Sequence, residues 1–509
     1  MTFRLRVLAI GDVYSEMPVR GRGGYAELAH VIGRLRREWS GRDEHVLLVG
    51  LGDMLGGSNL CEITQGEHVV KLMNALHFDA CAVGNHEFDH TAAGEQVFAR
   101  RVAESQFDWL ACNVSVAGEP IAGVLPHTVR SFAQADGSVV RVGLLGICTV
   151  QTPSLSYPSA AVHFESHVDA ARRSVAVLRD THRCDLVIAL THMTFYEDKQ
   201  LVKQVRGIDL VLGGHDHDAV SAMLSEPSRV GDTLVFKPGM NAYWCGVIDL
   251  QLLLGRASPD EQTGFVTYRN EAVALVDKSL PCAEADACTA IIEHYEAQRR
   301  VAEAEAARTI LVPALPAPLN VLTKVVRSRE ASCGSLLADS MRAWSPSDIG
   351  MINGGFMRND KLYPAGAQLT QADVLEMLPF GRPCVLMSIA GADLQLGVEQ
   401  MLAAAPAATG AFPHFSRGVE LRYKPLAPAL AKIVSFKLNG EPIAADRLYR
   451  VSTSNFLLGG GDGITAFKKG EKLESREVRI SKVLCHYLAQ HGDNAPIPGD
   501  ADGRIVAID

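Results

Sequence analysis

Residues 80–89 read Ala-Cys-Ala-Val-Gly-Asn-His-Glu-Phe-Asp. The first four are small and apolar and predict a short buried strand over Ala80 to Val83, after which Gly84 lets the backbone turn without a Cβ penalty. An amide, an imidazole and a carboxylate then arrive together as Asn85-His86-Glu87. Four more predicted strand ends carry similar groups: Gly11-Asp12-Val13-Tyr14, Gly52-Asp53, Thr191-His192 and Gly213-Gly214-His215-Asp216-His217.

The segments around these motifs alternate in character. Apolar runs at Arg4 to Ile10, His45 to Leu51, Val139 to Leu145, Leu186 to Leu190 and Leu210 to Leu212 predict strands. Tyr25 to Trp39, Glu67 to Leu76 and Val168 to Arg179 place apolar residues at three-and-four spacing, as helices laid on a sheet require. The first half is therefore read as an α/β layered domain. In an open α/β sheet the loops beyond the carboxyl ends of the strands converge on one crevice, so the five motifs are expected to meet.

Their chemistry suits phosphate-ester hydrolysis at a pair of cations. Such a site needs a bridging carboxylate, imidazoles and further oxygen donors; one ion polarises the phosphoryl group while the pair lowers the pKa of a bound water. Taken singly, Gly-Asp is usually a turn, and Gly-His-x-His is a metal spacing of only moderate specificity. The weight lies in finding all of them in order, each at a strand end.

The whole chain sets limits on the reading. At 509 residues it is too long for one ordinary core and is read as two domains. With 47% apolar and 21% charged residues the composition is that of a globular enzyme, and a net charge of −9 argues against coating a nucleic-acid polymer. The 11 cysteines include no C-x-x-C pair, so neither a zinc ribbon nor a redox motif is suggested. No stretch has the continuous apolar length of a membrane helix, and Met1 to Val7 offers no export signal. The expectation is a cytoplasmic protein with no membrane partner, a periplasmic or extracellular place staying open for a processed chain. Oligomeric state is not legible.

From Ala283 to Arg308 an Ala- and Glu-rich run predicts a connecting helix, stopped by the prolines at 313, 316 and 318. Beyond it a second α/β or α+β region is expected, with helices near Ser335 to Trp344, Gln371 to Met377, Gly391 to Ala404 and Glu477 to His491.

With these motifs in view, the chain resembles the bacterial 5'-nucleotidase and UDP-sugar hydrolase family of calcineurin-like metallophosphoesterases. That resemblance implies a four-layer β-sandwich flanked by helices over 1–280, a linker helix and connection over 281–319, and a smaller α/β substrate-specificity domain over 320–509. It implies two divalent ions, from among Mn, Zn, Fe, Co and Mg, one held by Asp12, Asp53 and His217 and the other by Asp53, Asn85, His192 and His215. His86, oriented by Asp89, would contact the phosphate. The family's first motif is normally Asp-x-His, whereas this chain has Tyr14 in place of the histidine, which leaves both Tyr14's part and the metal at that position open.

The second half resembles the same family's nucleotide-binding domain. Arg327-Ser328-Arg329-Glu330 ahead of Gly334-Ser335 assigns an anchoring role to Arg329, and Asn353-Gly354-Gly355-Phe356-Met357-Arg358 brings in Asn353 and Arg358. Leu378-Pro379-Phe380-Gly381 and Asn455-Phe456, with Gly460-Gly461-Asp462-Gly463 beyond, resemble the loops that clamp a base between Phe380 and Phe456, with Asp462 free to accept from ribose hydroxyls. Arginine forks suit phosphate, and loop aromatics suit base stacking. Phe356, bulkier than the small residue often found there, is expected to narrow the pocket.

The resemblance thus implies release of phosphate from nucleoside 5'-monophosphates by a metal-bound hydroxide, the nucleotide or related small phosphate ester lying between domains that rotate about the linker. Alternatives are a UDP-sugar or dinucleotide pyrophosphohydrolase, a 2',3'-cyclic nucleotide phosphodiesterase, a related hydrolase for a non-nucleotide such as a thiohydrolase, and a catalytically weak nucleotide-binding protein.

Overall fold

The strand Thr2–Ile10 is buried on both faces and organises the first half of the chain in a computed structural model describing residues 2–39, 45–56, 59–90, 94–134, 136–156, 158–225, 232–253, 265–273, 278–500 and 502–508. It pairs in parallel with His45–Gly50, which continues to Ala80–Ala82, Asp108–Leu110 and Val124–Leu125; on its other side Trp244–Leu253 and then Phe265–Ala272 run antiparallel, completing seven strands. A second sheet of six strands is ordered Ala219–Ser225, Asp232–Pro238, Leu210–Gly213, Leu186–His192, Val139–Cys148, His127–Ala133, parallel at its centre and antiparallel at both edges.

Alternation of side chains explains how the sheets stack. Leu5, Val7, Leu47 and Val49 on one sheet join Val142, Leu144, Ile188, Leu190 and Leu212 of the other in a single core. On its outer face the first sheet is covered by the helices Tyr25–Trp39, Glu67–Ala75 and Gly94–Glu104, and the second by His167–Ala176 and Phe195–Gln204. The result is helix, sheet, sheet, helix, the four layers implied by the resemblance. Strands with both faces buried read as continuous apolar runs, which is why they were legible.

The chain divides into compact units at Arg299/Arg300, inside the helix Ala283–Arg308. The first half of that helix is not a free connector, because Ala285, Cys288 and Ile292 are buried in the first unit's core.

The second unit contains a five-stranded sheet ordered Pro413–Phe415, Ile349–Asn353, Leu448–Ser454, Pro383–Ala390, Glu471–Arg479. Helices Ser332–Trp344 and Ile480–His491 contribute to one apolar cluster and Gly391–Leu402 to another. The predicted helix from Glu477 begins at Ile480 instead, because the strand Glu471–Arg479 pairs with Pro383–Ala390 through Arg479. Pairing between distant segments overrode local propensity there.

Candidate active site

The metal-type residues predicted in the first unit, and His86, sit at or just past the carboxyl ends of strands. Asp12 follows Thr2–Ile10, Asp53 follows His45–Gly50, Asn85 and His86 follow Ala80–Ala82, His192 closes Leu186–His192, and His215 and His217 follow Leu210–Gly213. Backbone bonds lace these ends together, Asp12 N–H to Gly52 O at 3.1 Å and Gly214 N–H to Thr191 O at 3.0 Å.

The local backbone is unusual where the ligand-type side chains emerge. Asp12, Asp53, His215 and His217 all have positive φ, at 54°, 53°, 82° and 65°. Each such residue costs on the order of 1 kcal/mol or more, and such strain persists only where the surroundings over-determine it. Glu87 supplies part of that constraint: fully buried, its carboxylate accepts the N–H groups of Asp53 at 3.0 Å, Met54 at 2.7 Å and Leu55 at 3.0 Å. Gly214 supplies space, since a Cβ there would lie 2.7 Å from Asp12 Oδ2 and 2.6 Å from Leu51 O.

The side chains converge. Asp12, Asp53 and His192 each offer a ligand atom within 4.8 Å of the others. His192 donates from Nδ1 to Leu51 O at 2.8 Å, leaving Nε2 3.1 Å from Asp53 Oδ2 and 3.3 Å from His215 Nδ1. Tyr14 Oη lies 2.8 Å from Asp53 Oδ2, 2.9 Å from His217 Nε2 and 3.2 Å from Asp12 Oδ1, so the phenol points into the cluster. Asn85 donates to Ser156 Oγ at 3.3 Å, while its Oδ1 is buried without a hydrogen-bond partner among the described residues.

The electrostatics describe a cluster short of positive charge. Burial pushes the Asp12 carboxyl up to about 7, with Asp53 adding to the rise against the pull of His192. Burial also opposes the charge on Asp53, yet His192 and His86 outweigh it and hold that carboxyl well below the usual range. Asp53 in turn draws the His192 ring up to about 9 against the cost of burial. His215, half-buried beside His192, is pushed down to about 4 by that burial and by the His192 charge and so presents a neutral ring. Two buried carboxylates, a neutral imidazole, an unpartnered amide oxygen and further ring nitrogens fit divalent metal ions.

His86 stands at the edge of this group. Its backbone N–H donates to Asp53 Oδ1 at 2.8 Å, and its Nδ1 lies 2.5 Å from Asp89 Oδ2. Burial disfavours the imidazolium, but Asp53 and Asp89 together raise the ring to about 10, so it stays protonated at neutral pH.

In the second unit the named residues fall into three small groups. Asn353 Nδ2 donates to Asp462 Oδ2 and to Gly410 O, each at 3.0 Å. The Arg358 guanidinium lies 5.1 Å from the Phe380 ring centroid, and Arg382 lies 5.0 Å from that of Phe456. Phe380 and Phe456 are half-buried, each against a different apolar cluster. Phe356, expected to narrow the pocket, is instead buried and backs Phe380 with ring centroids 5.8 Å apart. Arg329 is exposed; Arg327, two residues earlier, is the arginine whose charge is felt at Arg358.

Sequence reasoning passed over Arg327, Arg382 and Lys237. Lys237 is 1% exposed and donates to Met193 O at 2.5 Å and Gly214 O at 2.6 Å, joining the loops that carry His192 and His215. A lysine inside the apolar strand Asp232–Pro238 was the available signal.

Comparison with known proteins agrees with this architecture. Residues 5–219 match the family model for calcineurin-like phosphoesterases, and residues 313–469 match that for the 5'-nucleotidase C-terminal domain. The first match defines a metallophosphoesterase class. With the second, the chain belongs to the 5'-nucleotidase family of calcineurin-like metallophosphoesterases. Among its relatives, a 5'-nucleotidase of Bos taurus is 26% identical over 484 residues, 88% of this chain and 79% of that one. Among solved structures, a 5'-nucleotidase precursor from Thermus thermophilus has a TM-score of 0.60 at 23% identity, and an NAD nucleotidase from Haemophilus influenzae has 0.65 at 19%, each covering 100% of both chains.

Proposed function

We propose that this chain is a metal-dependent phosphohydrolase that releases phosphate from nucleoside 5'-monophosphates. The observation that carries the reading is the convergence of Asp12, Asp53 and His192 within 4.8 Å, with His215 a further 3.3 Å contact from His192. Asp12, Asp53 and His217 would hold one metal ion and Asp53, Asn85, His192 and His215 another, with Asp53 shared. Such ions, when bound, polarise the phosphoryl group and make water nucleophilic near neutral pH.

The chain's own residues supply the rest. His86, kept cationic and oriented by Asp89, donates to a phosphoryl oxygen as negative charge builds on it, in a site whose donors need no reorganisation. Arg358 and Arg327 offer planar forks to the anionic part of the substrate. Phe380 and Phe456 offer ring faces for the base, worth about 1 to 3 kcal/mol per stack. Asp462, exposed and held by Asn353, accepts from ribose hydroxyls.

A second reading is hydrolysis of a pyrophosphate in a dinucleotide or nucleotide sugar. It is favoured by Arg382 over Phe456, a further guanidinium beyond Arg358 and Arg327 that suits a second phosphate. Phosphate release measured metal by metal over nucleoside monophosphates, UDP-sugars, dinucleotides and 2',3'-cyclic nucleotides tests both. Absence of turnover with every substrate and metal, while a nucleotide still binds, would leave a binding protein instead. None of the described helices is long and apolar enough to cross a membrane.

A further inference from the structure

One phenol oxygen in the first unit faces more electron pairs than it has protons to satisfy. Tyr14 Oη has a single hydrogen, yet it lies 2.8 Å from Asp53 Oδ2, 2.9 Å from His217 Nε2 and 3.2 Å from Asp12 Oδ1. His217 Nε2 is itself 3.6 Å from Asp12 Oδ1. The phenol oxygen thus stands among two carboxylate oxygens and a ring nitrogen.

Their spacing has a simple reading. Ligands bonded to one cation at about 2.0 to 2.1 Å stand about 2.9 to 3.3 Å apart along the edges of an octahedron or tetrahedron. The three Tyr14 distances span 2.8 to 3.2 Å. The oxygen is also held in place: the Tyr14 backbone N–H donates to Asn241 Oδ1 at 3.1 Å, and the ring makes edge contacts with His86 and His217 at 5.4 and 5.2 Å between centroids.

We propose that Tyr14 is itself a ligand of the cation held by Asp12, Asp53 and His217, and that it turns this position toward a hard, highly charged ion such as ferric iron. The assignment rests on the metal-dependent reading above and extends it to a residue type the family's Asp-x-His pattern does not contain. Three oxygen donors and one imidazole surround this position, whereas two imidazoles, an amide oxygen and the shared Asp53 serve the other. Hard, anionic oxygen donors favour hard ions, and imidazole suits borderline divalent ones, so the two positions are chemically unequal. When the phenol binds, its proton passes to solvent.

The test adds ferric iron alone to the metal-free full-length chain and to Tyr14→Phe and Tyr14→His, reading iron content and visible absorption. The wild type is expected to bind iron and show a phenolate-to-iron charge-transfer band. Tyr14→Phe keeps the ring but is expected to lose the band and at least about tenfold in iron affinity. A wild type that takes up no iron, or takes it up without the band, overturns the assignment, as does a band that survives in Tyr14→Phe. Phosphate release from AMP by the wild type loaded in turn with Mn, Zn, Co, Mg and iron is followed in parallel. A band without turnover under any metal supports the ligand and sinks the hydrolase, and turnover without a band does the reverse.

Discussion

Lys237 Nζ lies 2.7 Å from Asp216 Oδ2, in a pocket where Asp198, 3.0 Å away on the other side, is fully buried. Asp216 stands between His215 and His217 and also accepts the Phe195 N–H at 2.6 Å, so this ion pair fixes the loop that presents both imidazoles. Removing one partner of a buried pair leaves an uncompensated charge, at a cost of about 3 to 5 kcal/mol. Lys237→Met is therefore expected to lower the thermal midpoint and to weaken metal binding by about 10- to 100-fold. Calorimetric metal titration on folded protein checks it; unchanged affinity would show that the loop holds its shape without the lysine.

Asp53 lies at the centre of the cluster, meeting Tyr14, His192 and the His86 backbone. Asp53→Ala is expected to abolish phosphate release under every metal. Tyr14→His, by contrast, is expected to change which metal supports activity more than it changes the ranking of substrates. Turnover by Asp53→Ala comparable to wild type would remove the metal cluster from the mechanism.

His86 and Asp89 form a tight pair at 2.5 Å. If His86 stabilises charge that develops only in the transition state, His86→Ala lowers kcat by about 10²- to 10³-fold with little change in KM. Asp89→Asn keeps the shape of the pair but removes the carboxylate that helps hold the ring cationic, so it should lose activity earlier as pH rises. A pH profile of kcat for both variants decides this, and wild-type profiles in Asp89→Asn would count against the orienting role.

The aromatic platforms make a separate prediction. Phe456→Ala and Phe380→Ala are each expected to raise KM for AMP by an amount equivalent to about 1 to 3 kcal/mol. Hydrolysis of p-nitrophenyl phosphate, which carries no nucleobase, should be nearly unaffected. Equal losses on both substrates would mean that the rings support the fold and do not read the base.

Acid stability of the second unit turns on His414. Its Nε2 donates to Val326 O at 2.8 Å, its Nδ1 is buried without a hydrogen-bond partner among the described residues, and burial pushes the ring down to about 4. Above the unfolded value of about 6.5 both states are neutral and the residue contributes no pH dependence. Below it the unfolded chain takes up a proton that the folded chain refuses, so stability falls from about pH 6.5 to about 4, by on the order of 3 kcal/mol in all. His414→Gln is expected to flatten that part of the thermal-midpoint profile, and an unchanged slope would refute the assignment.

Much of this molecule was legible along the chain because buried strands leave apolar runs and metal-type residues cluster where those runs stop. The quoted stretch from Ala80 gave a strand, a turn and three chemical groups in order. Glu87 was legible as a residue but not in its role, since only the folded loop shows it gripping the backbone beneath Asp53. Arg382 carried no signal until Phe456, 74 positions on, came to lie against it.

The sequence by itself determined the layered α/β architecture and the kind of chemistry, because burial period and side-chain type are properties of short segments, and the chain's length called for more than one core. Tertiary structure decided which way Tyr14 points, what Lys237 holds and which arginines sit on the aromatic rings. Those outcomes depend on contacts across tens to hundreds of residues, where distance in space is set by sheet order and packing, and no segment carries that information alone.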